Sequence, residues 1–337
     1  VVTLIRRSEV VALSNLFKKK FDEIDEIVSY GSDDYLDFYS NDPAFGELVR
    51  RIEVRISKGD LNLYTYWDEE YPEALRNIPA PPVFIFVKGN SEFLSYDLFA
   101  IVGTRKMTNY GKLVTELFTQ ELSKHFVIVS GMAYGVDSIA HANCLKSSRP
   151  TIAVLGCGVD IIYPKQNENL YSEIIKRGCV ISEYLPWEKP QKYTFVARNR
   201  IISGISKGIL VTEAGLDSGA LITAKFGIDQ GKDIFSIPGD IFKPTSAGTN
   251  YLIRNGAFLV TDPSEILEYY GFKEHKRLIE LNENEKILIE SLTQNLTVDE
   301  LAQRISKTIP EVLMMLTVLE IKGLVYRLED GTYMRSI

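Results

Sequence analysis

The sequence predicts a doubly wound α/β fold, with a small helical region before it and a winged helix after it. Three observations carry that reading. Short, almost wholly apolar runs recur between residues 83 and 260 with helical periodicities between them, the pattern of a parallel sheet covered on both faces. Glycine-bearing loops stand where most of those runs end. From residue 283 onward the pattern changes to three short helices and a hairpin signal. Right-handed crossovers between the parallel strands then give a Rossmann-like sheet.

In chain order, residues 1–60 are rich in charge and read as short helices, for example 10–17 and 22–30, the second ended by Gly31 as C-cap. A proline-rich joint follows, Pro72 and then Pro79, Pro81 and Pro82, which excludes helix and suits an extended lead into a strand at 83–87. Further strands are predicted at 99–102, 126–129, 151–155, 179–181, 209–211, 234–237 and 257–260. Helices fall between and after them at 110–124, 136–145, 168–176, 195–205, 220–230 and 263–270, with Thr194 as N-cap of the fourth. Residues 283–293, 298–305 and 310–322 are helical, Pro310 lying in the first turn of the last. Residues 324–328 and 332–335 flank Glu329-Asp330-Gly331, a hairpin turn. The resulting domains are 1–60, 61–278 and 279–337.

Composition narrows the function classes. At 45% hydrophobic and 25% charged, the 337 residues have the makeup of a globular chain of two or three domains, which excludes disordered and collagen-like proteins. No apolar run approaches the roughly 18 residues a membrane span needs. Arg6, Arg7 and Glu9 interrupt the opening segment, so no signal peptide is expected and the expected location is cytoplasmic. The chain opens on Val1, not Met, which points to processing, truncation or an alternative start. Cys144, Cys157 and Cys179 are too scattered for a disulfide framework or zinc site, and His125, His141 and His275 fall in separate elements. No metal is expected.

In an open α/β sheet, ligands collect outside the carboxyl ends of the strands. The sequence places Gly103-Thr104-Arg105, Ser130-Gly131, Gly156-Cys157-Gly158, Glu213-Ala214-Gly215, Ser218-Gly219 and Pro238-Gly239 there. One such loop does no more than turn the chain tightly; several along one sheet edge suit phosphate. Glycine admits close backbone approach and helix N-termini add partial positive charge, so Ser130, Gly131, Gly156, Gly158, Ser218 and Gly219 form the predicted cradle. Neither G-x-G-x-x-G nor G-x-x-x-x-G-K-[ST] occurs, which argues against a dinucleotide cofactor and a P-loop ATPase, and G-x-S-x-G is absent as well. Asp137, His141, Glu183 and Glu213 read as helix caps and polar pairs. No catalytic residue and no cofactor is expected.

Charge is distributed unevenly. Residues 141–210 hold ten Lys and Arg against five Asp and Glu, a local +5, so the rest carries −12 of the total −7. Tyr163, Tyr184, Trp187, Tyr193 and Phe195 are interleaved with Lys165, Lys192, Arg198 and Arg200. Positive charge with aromatic platforms is a recipe for binding single-stranded nucleic acid. Arg198 and Arg200 lie two apart and cannot share a helix face, so one is expected buried against Glu213 or Asp137.

The motifs together resemble the DprA/Smf family, the DNA-processing proteins of bacterial natural transformation. The residues that carry the resemblance are Gly103-Thr104-Arg105, then Ser130-Gly131-Met132-Ala133-Tyr134-Gly135 through His141, and Gly156-Cys157-Gly158 with Tyr163-Pro164-Lys165. Arg198-Asn199-Arg200-Ile201-Ile202-Ser203-Gly204, Glu213-Ala214, Ser218-Gly219-Ala220 and Gly248-Thr249-Asn250 extend it. The resemblance implies a homodimeric, non-enzymatic protein that binds and protects incoming single-stranded DNA and loads the RecA recombinase. It also implies a SAM-like or helix-hairpin-helix-like N-terminal domain. Arg105, with Gly103 and Thr104, matches the family's DNA-binding loop, and Lys192 and Phe195 match its lysine and base-contacting phenylalanine. Lys165, Arg198 and Arg200 join the candidate DNA contacts from charge and placement. The dimer surface is expected in the carboxyl half of the sheet domain.

The last helix of the winged motif carries Glu311 and Glu320 against Lys322, with Val312, Leu313, Leu316 and Leu319 as its apolar stripe. A helix that enters a major groove is normally basic, so a protein-contact or accessory module is expected here. The rival function is a nucleotide-processing enzyme of phosphoribohydrolase type on a related sheet, and the chain lacks that family's P-G-G-x-G-T-x-x-E run.

Overall fold

The structure is a computed structural model that describes residues 5–30, 39, 41–272, 281–328 and 330–335. Gly31, expected as a C-cap, and Glu329 of the hairpin turn lie outside the described residues. The chain divides into two compact units, Val1–Tyr270 and Gly271–Ile337. No helix among the described residues is long and apolar enough to cross a membrane.

The first unit opens with helices α1 (Arg7–Leu16), α2 (Phe21–Tyr30) and α3 (Pro43–Ile56). The third escaped the sequence reading although its start is well marked: Asp42 accepts the Ala44 N–H at 2.8 Å and Pro43 fills the first turn. Next come β1 (Leu61–Thr65), the short α4 (Glu73–Arg76) and β2 (Phe84–Gly89). Strand and helix then alternate: β3 (Leu98–Val102), α5 (Asn109–Leu122), β4 (Val127–Ser130), α6 (Val136–Lys146), β5 (Thr151–Val154), α7 (Glu168–Arg177), β6 (Cys179–Ser182) and α8 (Lys192–Ile205). The unit closes with β7 (Gly208–Val211), α9 (Gly219–Asp229), β8 (Asp233–Ser236), α10 (Ala247–Arg254), β9 (Phe258–Leu259) and α11 (Pro263–Tyr269).

The strands form one nine-stranded sheet in the order β1-β2-β6-β5-β4-β3-β7-β8-β9. All neighbours from β6 to β9 run parallel, whereas β1 and β2 add an antiparallel extension beside β6. β3 to β7 are buried along their whole length, which is why they read as continuous apolar runs. β2 splits its side chains between the two faces: Ile85 and Val87 enter one core, Phe84 and Phe86 the other. That second core also holds Val11, Leu13, Phe45 and Ile52, so the N-terminal helices share packing with the sheet.

From β3 the chain moves outward through β4, β5 and β6, then returns to lay β7 on the other side of β3. Connections leaving β3 and β7 therefore diverge, and a crevice opens at the carboxyl ends of those two strands.

The second unit comprises α12 (Glu283–Ser291), α13 (Val298–Arg304), α14 (Ile309–Ile321) and the antiparallel pair β10 (Val325–Arg327) and β11 (Tyr333–Arg335). Val312, Leu316 and Leu319 are fully buried in its core, but Leu313 is exposed. The core stripe follows positions i, i+4 and i+7, and Leu313 lies about 100° around the helix from it.

Candidate nucleic-acid interface

Backbone contacts first fix the loop after β3. Thr104 N–H donates to the Glu213 carbonyl at 2.7 Å, tying it to the loop after β7. The Glu213 carboxylate, itself buried, accepts the Thr108 N–H at 2.8 Å and the Thr108 hydroxyl at 2.9 Å. Thr108 in turn caps α5 through the Gly111 N–H. Arg105 and Lys106 lie exposed on this loop, with no ion pair among the described residues.

The opposite wall is α8, which begins at Lys192 and not at Phe195. Its N-cap is Gln191; Thr194, expected in that role, sits in the first turn and reaches back. Thr194 Oγ1 accepts the Gln191 N–H at 3.1 Å and lies 2.5 Å from the Gly156 carbonyl, so the fully buried hydroxyl staples α8 to the loop after β5. Lys192 therefore projects, exposed, from the first turn of the helix. Phe195 packs directly on Gly156, where an added Cβ would come within 2.8 Å of the ring. Tyr163, 46% exposed, lies 5.2 Å from the Phe195 ring centre, and the Arg105 guanidinium sits 5.8 Å from it.

One cavity of about 1180 Å³ brings together Gly103, Thr104, Arg105, Lys106, Tyr163, Lys192, Phe195, Arg198, Asn199, Ser218 and Gly219. Asn199 Nδ2 donates to the Gly219 carbonyl at 3.3 Å and links α8 to α9. On the cavity floor, Arg198 Nη1 donates to the Gly131 carbonyl at 2.7 Å and to the Val154 carbonyl. Asp137 Oδ2 accepts the Gly131 and Ala133 N–H groups at 3.2 Å and 3.4 Å. Burial pushes the Arg198 guanidinium below its ordinary value against the opposing pull of Asp137, and burial also raises the Asp137 carboxyl. His141 is driven down to about 3 by burial and by the Arg198 charge.

Other sequence-selected residues stand apart from this cavity. Arg200 leaves the other side of α8 and forms a two-pronged ion pair with Glu183, both contacts at 2.5 Å. Ser130 spends its hydroxyl on the Ile101 carbonyl at 2.6 Å. Gly131 makes room beneath the floor, since a Cβ there would fall 2.6 Å from Arg198 Nη2 and 2.7 Å from Asp137 Oδ2. Gly158 is packed against the Leu185 carbonyl. Lys165 is exposed two residues beyond Tyr163 and does not line the cavity. Of the interleaved aromatics, Trp187 is covered by Arg51, whose guanidinium lies 3.7 Å from the ring centre.

The sequence reading passed over Lys106, Asn199, Leu216, Asp217, Pro244 and Thr245 as lining. Lys106 and Asn199 adjoin residues it did select. Pro244 and Thr245 lead into α10, whose opening Ala-Gly-Thr-Asn has little helical signal. Among the described residues no group of His, Cys, Asp or Glu is placed to hold a metal ion.

Comparison with known proteins accords with this arrangement. The family model described as DNA recombination-mediator protein A matches residues 62–271, and a DprA winged helix domain model matches 275–331. The DNA processing protein DprA of Streptococcus pneumoniae is 42% identical over 209 residues, covering 62% of this chain and 74% of that protein. Protein Smf of Escherichia coli is 37% identical over 279 residues, covering 78% of this chain and 74% of Smf. The solved Streptococcus pneumoniae DprA superposes with a TM-score of 0.62 at 35% identity, covering 81% of this chain and 95% of the other. A Helicobacter pylori DprA structure, solved to study that protein's single-stranded DNA binding mode, gives 0.57 at 32% identity over 62% of this chain and 95% of its own. With a family model spanning residues 62–271 and relatives of this similarity, the chain belongs to the DNA recombination-mediator protein A (DprA/Smf) family.

Proposed function

We propose that this protein, like its Helicobacter pylori relative, binds single-stranded DNA, and that it does so in the crevice between β3 and β7. One observation carries the reading: exposed Arg105 and Lys192, with no ion pair among the described residues, flank the paired rings of Phe195 and Tyr163 at one cavity mouth. Cations engage the strand's phosphates while the rings receive unpaired bases, which a duplex keeps stacked away. Lys165, beside Tyr163, extends the basic track; Arg200, neutralised by Glu183, contributes to folding instead. Binding without turnover fits the carboxylates, since Glu213 is committed to Thr108 and Asp137 to backbone N–H groups. Those commitments weigh against the phosphoribohydrolase alternative.

The finer assignments follow from this reading. The protein protects incoming strands in the cytoplasm and delivers them to the RecA recombinase, consistent with the family's description as recombination mediators. Residues 61–278 bind the strand, 1–60 buttress that domain, and 279–337 form the accessory winged helix. Homodimerisation uses the free edge of β9, where Phe258 and Leu259 are exposed beside Ile228 and Tyr251. A strand edge so apolar calls for cover, and a second copy supplies a matching edge.

The test is a salt titration of binding to single-stranded and duplex oligonucleotides of equal length, read by fluorescence anisotropy. Tighter single-strand binding, weakening as salt rises through counterion release, is expected. Equal or tighter duplex binding would sink the proposal.

A further inference from the structure

Helix α3 presents two arginines one turn apart, Arg51 and Arg55, to a pair of adjoining loops. Arg51 lies over Trp187, 3.7 Å from the ring centre. Arg55 grips the Asp160 carboxylate with a fork, Nε to Oδ2 and Nη2 to Oδ1, both at 2.7 Å. Lys88 of β2 donates to the same carboxylate at 2.9 Å, and Asp60 accepts Arg55 Nη1 at 2.5 Å. The Arg55 side chain is only 12% exposed, so the network lies largely out of water. Backbone bonds join the two loops: the Asp160 and Gly158 N–H groups donate to the carbonyls of Pro186 and Glu188, each at 2.8 Å. Ile161 and Ile162 then pack against the core that also holds Phe45, Val49 and Ile52 of α3. Tyr163 follows directly, its ring 5.2 Å from that of Phe195. Beyond it, Asn167 Nδ2 donates to the Met132 carbonyl at 3.0 Å. Tyr163 therefore sits on a span fixed at both ends, and one of those ends is held by an N-terminal helix.

We infer that Asp160 is a positioning residue: gripped by Arg55, it sets Tyr163 beside Phe195 as one base platform, and so gives the N-terminal helices a part in recognising bases. The inference rests on the single-strand reading. Asp160 itself does not line the crevice and acts through the loop. Stacking depends on ring placement and is lost over a small offset, whereas attraction to phosphate reaches about 8 Å at physiological salt and tolerates one. A displaced Tyr163 therefore weakens the hold on bases and leaves the hold on the backbone. Charge alone predicts the reverse for Asp160, since an acid within the basic segment can only repel phosphate.

The test compares the full chain's affinity for a fluorescent oligothymidylate and for an abasic oligonucleotide of the same length. Asp160→Asn keeps the shape and makes the chain less acidic; Arg55→Gln makes it more so. Both should bind the oligothymidylate at least about threefold more weakly than the wild type, and the abasic strand within about twofold of it. The double variant should be no worse than either single one. Adding Asp160→Asn to Tyr163→Leu, which keeps the bulk and loses the ring, should bring no further loss. If Asp160→Asn or Arg55→Gln loses its cooperative thermal transition, Arg55→Lys, which keeps the charge and gives up the fork, carries the test with the same expectation. Tighter binding in Asp160→Asn with weaker binding in Arg55→Gln is an effect of charge alone and overturns the inference. So do wild-type affinities in both, an equal loss on the abasic strand, or a further loss in the Tyr163→Leu background. Arg105→Ala separates the two readings. If it weakens binding to both strands while the loop variants match the wild type, the single-strand reading stands without this inference; if it changes neither affinity, both fail.

Discussion

Phe195 holds its ring between Gly156, packed against it, and Arg105, which makes no ion pair among the described residues, and those neighbours set what each substitution does. Phe195→Ala removes a stacking platform and should weaken single-strand binding by about 1–3 kcal/mol with little change in salt slope. Arg105→Ala or Lys192→Ala should instead lower that slope by about one unit. Unchanged affinity in all three would move the site elsewhere. His141 answers to pH. Its folded-state value, about 3, lies below the ordinary 6.5, so between these the unfolded chain binds the extra proton and acid costs the native state stability. From pH 6.5 to 5, above most carboxylate titration, urea stability should fall by up to about 1.4 kcal/mol per pH unit, and His141→Leu should flatten that fall. An equally steep fall in the variant would show that another group is responsible. Spacing showed that Arg198 and Arg200 must part; which one went under the crevice depended on Glu183 standing at the end of β6 to take the other.

At the scale of elements, α8 shows what local sequence can conceal. Thr194 looked like an N-cap, yet Gln191 takes that position and Thr194 works from inside the first turn, held by the Gly156 carbonyl. That carbonyl comes from a loop 38 residues away, which no local pattern can register. Thr194→Val keeps the shape and strands the partners, so a loss of about 1–3 kcal/mol is expected by denaturant unfolding. A loss below 0.5 kcal/mol, the range of an indifferent surface change, would mean the staple is dispensable. Helix α14 keeps Val312, Leu316 and Leu319 inside, while Leu313, Met314 and Val318 remain exposed. An apolar, acid-bearing face is poorly suited to a phosphate backbone.

For the whole molecule, the order of strands governs both ends of the functional argument. Reversal between β3 and β7 opens the crevice, and continuation to β9 leaves an apolar edge far along the sheet. Leu259→Glu, at a position 51% exposed, should lower the solution mass measured by light scattering from dimer to monomer. A dimer that persists would place the contact elsewhere. Because the chain forms two compact units, removing residues 271–337 should leave single-strand affinity within about twofold, and a larger loss would give the winged helix a direct part in binding. A net charge of −7 over 337 residues suggested a poor nucleic-acid partner; the local +5 of residues 141–210 reads differently once Lys192 and Arg198 meet Arg105 across the crevice. By itself the sequence determined the alternating elements, the glycine loops and the basic, aromatic-rich segment, because periodicity and turn chemistry act over a few residues. Only the tertiary structure decided that β1 and β2 extend the sheet antiparallel, that Arg200 is neutralised by Glu183, and that Arg198 is the arginine buried beneath Gly131 near Asp137. Those outcomes depend on which distant strand end or carbonyl arrives beside a side chain, and strand order, not local pattern, determines that.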